Sequence, residues 1–217
     1  MTKKAFIFDL DGVIVDTAKF HYLAWKKLAD ELGIPFTQHD NEQLKGVSRV
    51  RSLELILNLG GVTLDEVEKL NHLKEKNEDY LSYISEMTHA DVLPNVPKVL
   101  NFLKAHQVPI ALGSASKNAK QILEKVGLLG VFDAIVDGNE VSKAKPDPEV
   151  FLLAARKIDA NPEDCVVFED AIAGIQAANQ AKMLSIGIGE SEILHEAKYV
   201  FRDFTKISTK FLAELLK

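Results

Sequence analysis

An apolar run, Ala5-Phe-Ile-Phe8, ends in two carboxylates two residues apart, Asp9 and Asp11, and then in Gly12. Short uninterrupted apolar runs of this kind read as strands of a parallel sheet buried on both faces. Buried strands do not end in paired acids without a reason, because like charges repel and lost hydration penalises both. A divalent cation removes the conflict, and a free carboxylate beside it can attack phosphorus. Gly12 permits a tight turn that a side chain would obstruct. The segment predicts a phosphoryl-transfer centre just past the first strand.

Four further runs, at 109–113, 134–136, 165–168 and 184–188, also read as strands. Segments of helical period separate most of them. Residues 97–106 put Val99, Leu100, Phe102 and Leu103 on one face, and 147–158 do so with Val150, Phe151, Ala154 and Ile158. Asp147 and Asp170 stand where N-caps or first-turn acids are expected. Such alternation predicts an α/β fold with a Rossmann-like parallel sheet covered on both faces.

Between the first and second strands the pattern changes. Residues 17–32, 49–59 and 64–86 are helical in period, interrupted by Gly33-Ile-Pro35 and by Gly60-Gly61. An insertion of about 70 residues is far longer than a crossover loop. The expected organisation is a core of residues 1–16 and 90–217 carrying a helical cap domain at 17–89. No internal repeat or low-complexity segment is visible.

The formal net charge of -6 argues against nucleic acid as a partner, since phosphate backbones call for a basic face. A small phosphorylated substrate is compatible, because a few cations and a metal can reverse the sign inside one cleft. One cysteine, Cys165, rules out an internal disulfide and suits a reducing compartment. Its apolar neighbours mark it as a small buried hydrophobe. The N-terminal apolar run, broken by Asp9 and Asp11, is neither a signal peptide nor a membrane span. A cytoplasmic monomer with no membrane partner is the expectation.

Ligands of open parallel sheets bind beyond the carboxyl ends of the strands. Past the expected strands stand, in chain order, Asp9 and Asp11, then Ser114-Ala115-Ser116-Lys117-Asn118, then Lys145-Pro146, then Glu169-Asp170. Ser114, at a strand-to-helix junction, reads either as an N-cap for a helix from Lys117 to Val126 or as an anion-binding hydroxyl. Lys145 precedes a proline, so its loop presents the ammonium; a solvated surface lysine is the alternative. The candidate metal ligands are all hard oxygen donors, which selects Mg²⁺.

In the insertion, Thr17, His21 and Trp25 recur at i, i+4 and i+8 along one helix face. Thr17 and His21 fall within a turn or two of the first strand and overhang its end, while Trp25 reads first as packing. Gly46-Val47-Ser48-Arg49 opens the next helix, where backbone amides and a guanidinium fork suit an oxyanion. Arg51 reads as a surface residue. Lys76 is a weaker candidate for the same cleft. The other five histidines, His39, His72, His89, His106 and His195, have no ligand spacing and read as surface residues.

These residues together resemble the haloacid dehalogenase superfamily, in its phosphotransferases with a helical cap. The resemblance rests on Asp9-Leu10-Asp11-Gly12-Val13, Ser114, Lys145-Pro146 and Glu169-Asp170. It implies Asp9 as a nucleophile that forms an aspartyl phosphate and Asp11 as general acid/base. It implies Mg²⁺ held by Asp9, the main chain of Asp11, Glu169 and Asp170, with Ser114 and Lys145 on the transferring phosphoryl group. Thr17 and His21 would couple cap closure to Asp11. The segments 41–49 and 114–118 resemble members that act on a phosphosugar. Arg49, Ser116, Lys117 and Asn118 would then engage the phosphate that is not being transferred, with Gly46, Val47 and Ser52 lining the sugar and Ser48, Lys76 and Ala115 in the same binding set. The implied reaction interconverts β-D-glucose 1-phosphate and 6-phosphate through a 1,6-bisphosphate; a sugar-phosphate phosphatase is the alternative. Ala171 departs from the pattern, since many members carry a serine after the Glu-Asp pair.

Overall fold

The computed structural model describes residues 4–217. Its centre is one six-stranded sheet of β1 (Ala5–Phe8), β2 (Ile110–Gly113), β3 (Ala134–Val136), β4 (Cys165–Glu169), β5 (Leu184–Ile188) and β6 (Tyr199–Phe201). The order is β3-β2-β1-β4-β5-β6, and each pairing is parallel. Ile7 lies opposite both Ala111 and Val167, which puts β1 in the middle. The chain steps outward from β1 to β3 and then returns to the other side of β1 with β4. That reversal makes the gap past β1 and β4 the topological switch point, where such sheets bind ligands.

The alternation of side chains along each strand divides the core in two. Phe6, Phe8, Ile110, Leu112, Val166 and Phe168 join one cluster. Ala5, Ile7, Ala111, Val136, Cys165 and Val167 join the other. Phe8 stacks on Phe168 with 4.9 Å between ring centroids and 6° between planes, so the two central strands are clamped just before their acidic ends.

Four helices, α1 (Ala18–Glu31), α2 (Gln38–Glu42), α3 (Arg49–Gly60) and α4 (Glu66–Ser85), follow β1 in the chain. They have a cluster of their own, built on Trp25, Leu28, Ile34, Phe36, Leu53 and Ile56. Capping side chains set their starts: Thr37 accepts from the Asp40 amide, Ser48 from Arg51 and Asp65 from Glu68. The far end of α4 departs from that cluster. Tyr80 and Ile84 pack with Ala24 and Met87 into the core formed by the sheet.

Helices α5 (Val96–Ala105), α6 (Ala119–Lys125), α7 (Glu149–Lys157), α8 (Ile172–Gln180) and α9 (Thr209–Leu215) cover the sheet. The five expected strands and the helices flanking them match the structure within a few residues. The helix starts differ. Asp147 is not the N-cap of α7, which is Pro148, but its Oδ1 accepts from the Glu149 amide. Asp170 is not the N-cap of α8 either; Ala171 holds that place, and Glu169 accepts from the Ala171 amide. Ser114 is not a helix cap: α6 starts after Asn118, and Ser114 Oγ accepts from the Ser116 amide. No helix among the described residues is long and apolar enough to cross a membrane.

Candidate active site

Lys145 ties three strand ends together. Its ammonium lies 2.5 Å from Asp9 Oδ1 after β1, 3.2 Å from the Gly113 carbonyl ending β2, and 2.6 Å from Glu169 Oε1 ending β4. Three donors meet three acceptors, so this buried cation is fully satisfied. Burial alone would lower its pKa, but Asp9 and Glu169 outweigh that and raise it. Lys145 is a permanent positive charge here, not a surface residue.

The acids carry the opposite imbalance. Burial pushes Asp9 up to about 7; Lys145 opposes the shift, and Glu169 and Asp11 add to it. Burial also raises Asp170 well above the ordinary carboxylate range, helped by the charges of Glu169 and Asp9. The nearest cation to Asp170 is Lys45, at 3.9 Å. One lysine held between two acids leaves the third under-compensated, which favours a further cation.

Two glycines give these acids their room. A Cβ on Gly12, whose φ is +76°, would lie 2.1 Å from Asp170 Oδ2. A Cβ on Gly174 would lie 1.8 Å from Glu169 Oε1. The donors gathered around the ends of β1 and β4 are oxygens only, and they fit Mg²⁺ by hardness and charge. Glu169 is engaged on both oxygens, by Lys145 and by the Ala171 amide.

Asp11 faces the insertion. Thr17 Oγ1 donates a short hydrogen bond to Asp11 Oδ1, and His21 Nε2 is 3.7 Å from the same oxygen. Burial would raise this carboxyl, but hydrogen bonding and charge from His21, with Thr17, bring it below the usual value. His21 Nδ1 is in turn 3.2 Å from Lys76 Nζ. The Lys76 ammonium lies over the rings of Trp25 (4.5 Å) and Tyr80 (4.8 Å). Burial, reinforced by Arg49, lowers Lys76 to about 7. Burial and the Lys76 charge likewise lower His21.

A cleft of about 480 Å³ separates the sheet end from the insertion. Asp9, Asp11, His21, Lys76, Lys145 and Asp170 all line it. So do the stretches Gly46–Val50 and Ala115–Asn118, together with Ser52. Thr17, Ser114 and Glu169 are wholly buried and outside its lining, so these three act through neighbours. The hydroxyls of Ser48 and Ser52 are already used: Ser48 caps α3, and Ser52 donates to the Ser48 carbonyl. A Cβ on Gly46 would come 2.9 Å from the Ala171 Cβ, so the insertion loop touches the core at Ala171.

Trp25 packs in the insertion core and also lines the cleft, so it serves both as packing and as part of the site wall. Three contributors escaped the sequence reading. Lys45 reaches Asp170 from the insertion, and Asn77 of α4 accepts from the Asn118 side-chain amide at 3.1 Å across the cleft. Tyr80 is buried against His21, ring centroids 4.2 Å apart. A signal for Tyr80 existed, since Leu73, Lys76, Tyr80 and Ile84 share one helix face. His39, His89, His106 and His195 are exposed as expected. His72 is half-buried, and the donor atoms of Glu31, His72 and Glu75 lie within 4.8 Å of one another. That group is outside the cleft, and its His72–Glu75 members form an i,i+3 pair at 3.6 Å.

A model of haloacid dehalogenase-like hydrolases matches residues 3–182. The chain belongs to that family. Within the family it is 44% identical over 213 residues to the β-phosphoglucomutase of Bacillus subtilis strain 168, covering 97% of this chain and 94% of that one. It is 31% identical to a phosphorylated carbohydrates phosphatase of Thermotoga maritima, covering 82% and 81% of the two chains. Among solved structures, a β-phosphoglucomutase from Clostridium difficile superposes with a TM-score of 0.94 at 43% identity, covering 100% of this chain and 97% of the other. The haloacid dehalogenase-like assignment fits a parallel sheet with acids past β1 and β4.

Proposed function

We propose that the protein interconverts β-D-glucose 1-phosphate and β-D-glucose 6-phosphate, with residues 17–89 acting as a cap over the core. The observation that carries this reading beyond phosphoryl transfer in general is Arg49. Its guanidinium lines the same cleft as Asp9, yet it has no carboxylate partner among the described residues, whereas Arg51 pairs with Glu54. Burial lowers the pKa of Arg49. A half-buried, uncompensated guanidinium calls for an anion, and Lys145 already attends the transferring group. Arg49 with the Ser116–Asn118 loop suits a second phosphate, as a bisphosphate intermediate requires.

Asp9 attacks the 1-phosphorus of the 1,6-bisphosphate, forming an aspartyl phosphate as the bond to the sugar oxygen breaks and glucose 6-phosphate is released. Asp11 gives that oxygen its proton. In the other half a bound glucose 1-phosphate presents its 6-hydroxyl, Asp11 removes the proton, and the phosphoryl group passes from Asp9 to that oxygen, giving the 1,6-bisphosphate. Lys145 neutralises charge on the transferring group throughout, and it costs little reorganisation because it is already fixed. Mg²⁺, held by Asp9, Asp170 and the main chain of Asp11 with Glu169 alongside, would supply further charge neutralisation and alignment. Closing the cleft keeps water from the aspartyl phosphate, so the sugar hydroxyl is its acceptor. The free, buried Cys165 suits a reducing cytoplasm.

Incubation with β-glucose 1-phosphate, Mg²⁺ and a trace of the 1,6-bisphosphate tests the reading. Glucose 6-phosphate is the expected product. Stoichiometric free phosphate in its place would make the protein a phosphatase.

A further inference from the structure

The Tyr80 hydroxyl is a buried polar group with no hydrogen-bond partner in this structure. The residue is 1% exposed, and its side chain borders the cleft. Buried orphan hydroxyls are rare, and each asks for an explanation. Its surroundings narrow the answer. The ring stacks on His21 with centroids 4.2 Å apart, and His21 Nε2 is 3.7 Å from Asp11 Oδ1, the oxygen that Thr17 also holds. A phenol is protonated at neutral pH and able to donate. Catalytic hydrogen bonds are often unformed before substrate binds and tighten afterwards.

We propose that Tyr80 is a positioning residue for Asp11: its hydroxyl donates to the Asp11 carboxylate once substrate draws that carboxylate from Thr17 toward the sugar oxygen. In the present structure Thr17 holds Asp11 Oδ1. A carboxylate turned toward a sugar oxygen still needs a fixed donor behind it, and in a closed cleft no water replaces one. Tyr80 projects from α4, so this bond forms only with the insertion in place. The inference rests on Asp11 being the general acid/base of the proposed reaction.

Tyr80→Phe keeps the ring, the stack on His21 and the contact with Lys76, and removes one oxygen. Two half-reactions of the full chain with Mg²⁺ separate positioning from structure. Phosphorylation of Asp9 by acetyl phosphate expels acetate, which needs no proton, so Tyr80→Phe should match wild type within about 2-fold. Transfer from the phosphoenzyme to glucose 6-phosphate needs Asp11 as base and should slow by roughly 10- to 100-fold. On an Asp11→Asn background the same change should add nothing. Equal loss in both half-reactions, or loss in neither, overturns the role of Tyr80. If Asp11→Asn itself transfers to the sugar at the wild-type rate, the assignment of Asp11 falls and this inference with it. If Asp11→Asn blocks transfer and Tyr80→Phe does not, only the inference about Tyr80 fails.

Discussion

The Lys145 ammonium is 2.5 Å from Asp9 Oδ1, and both side chains are almost wholly buried. A second buried acid, Glu169, is 2.6 Å away on the same nitrogen. Removing one member of such a group leaves uncompensated buried charge, which costs about 3–5 kcal/mol. Lys145→Met should therefore lose stability of that order along with phosphoryl transfer. The pH dependence has a definite sign. Asp9, already raised, would rise further without its lysine, so the folded variant would hold more protons than the unfolded chain between about pH 4 and 7. The stability of the variant should then fall as pH rises through this window, more steeply than that of wild type. Urea unfolding at pH 5 and pH 7 reads the difference; parallel losses at both values would contradict it.

The raised pKa of Asp9, about 7, also predicts how magnesium binds. A cation favours the ionised carboxylate, so protons compete with it below that value. Apparent Mg²⁺ affinity should climb between pH 6 and 7.5, and titration at pH 6.5 should release protons into unbuffered solution. Asp9→Asn should weaken both effects, with Asp170 keeping its share, and abolish phosphoenzyme formation. An affinity that is flat across this range would show that Asp9 is already ionised without metal.

The sheet was legible because its strands are short apolar runs, and in β1 and β4 the acids mark where each run ends. The same runs alternate between two faces, so neighbours such as Phe6 and Ile7 fall into different clusters. Strand β6 escaped notice: three residues at a sheet edge, none fully buried, lack a periodic signal. Helix α2 is five residues closed by Thr37 and Asp40, too short for a hydrophobic stripe. At the site, the residue types past each strand pointed to the chemistry, but the partner of each one could not be inferred from its position. Ser114 read as a helix cap or as an anion-binding hydroxyl; it caps no helix, and its Oγ fastens its own loop. Glu169 read as a metal ligand or as part of a capped helix start; it holds Lys145 as well as the start of α8. The two Lys145 pairings join residues 24 and 136 positions apart, beyond the reach of any local pattern.

Arg49 and Arg51 offer a controlled comparison two residues apart. Arg51 is on the outside, paired with Glu54, and exposed pairs of that kind contribute at most about 1 kcal/mol. Arg49 faces the cleft with no acid beside it among the described residues. Arg49→Ala should weaken binding of glucose 6-phosphate by roughly 10- to 100-fold, the range for a lost charge-assisted hydrogen bond. It should spare phosphorylation of Asp9 by acetyl phosphate, which has no second phosphate. Arg51→Ala should change neither. Equal losses with both phosphoryl donors would move Arg49 out of the second-phosphate role.

Lys76 supplies a prediction that needs no turnover. Buried on the inner face of α4 and crowded by Arg49, it titrates at about 7, so at pH 8 most of it is neutral. A dianionic phosphate entering the same cleft restores the charge balance and raises that pKa toward its ordinary value of about 10.4. Between the two values the complex holds more protons than the free protein, so binding must take up protons. Calorimetry of glucose 6-phosphate binding at pH 8, in two buffers with different ionisation enthalpies, should report uptake approaching one proton. The phosphate ester is already fully ionised at that pH and contributes little, and His21, with its own pKa lowered, stays neutral. At pH 6 Lys76 is protonated beforehand, and its uptake should vanish. Lys76→Met should abolish the uptake at pH 8 while leaving the hydrogen bond of Thr17 to Asp11 in place. Uptake that survives this substitution would assign the proton to another group and leave Lys76 as packing between Trp25 and Tyr80.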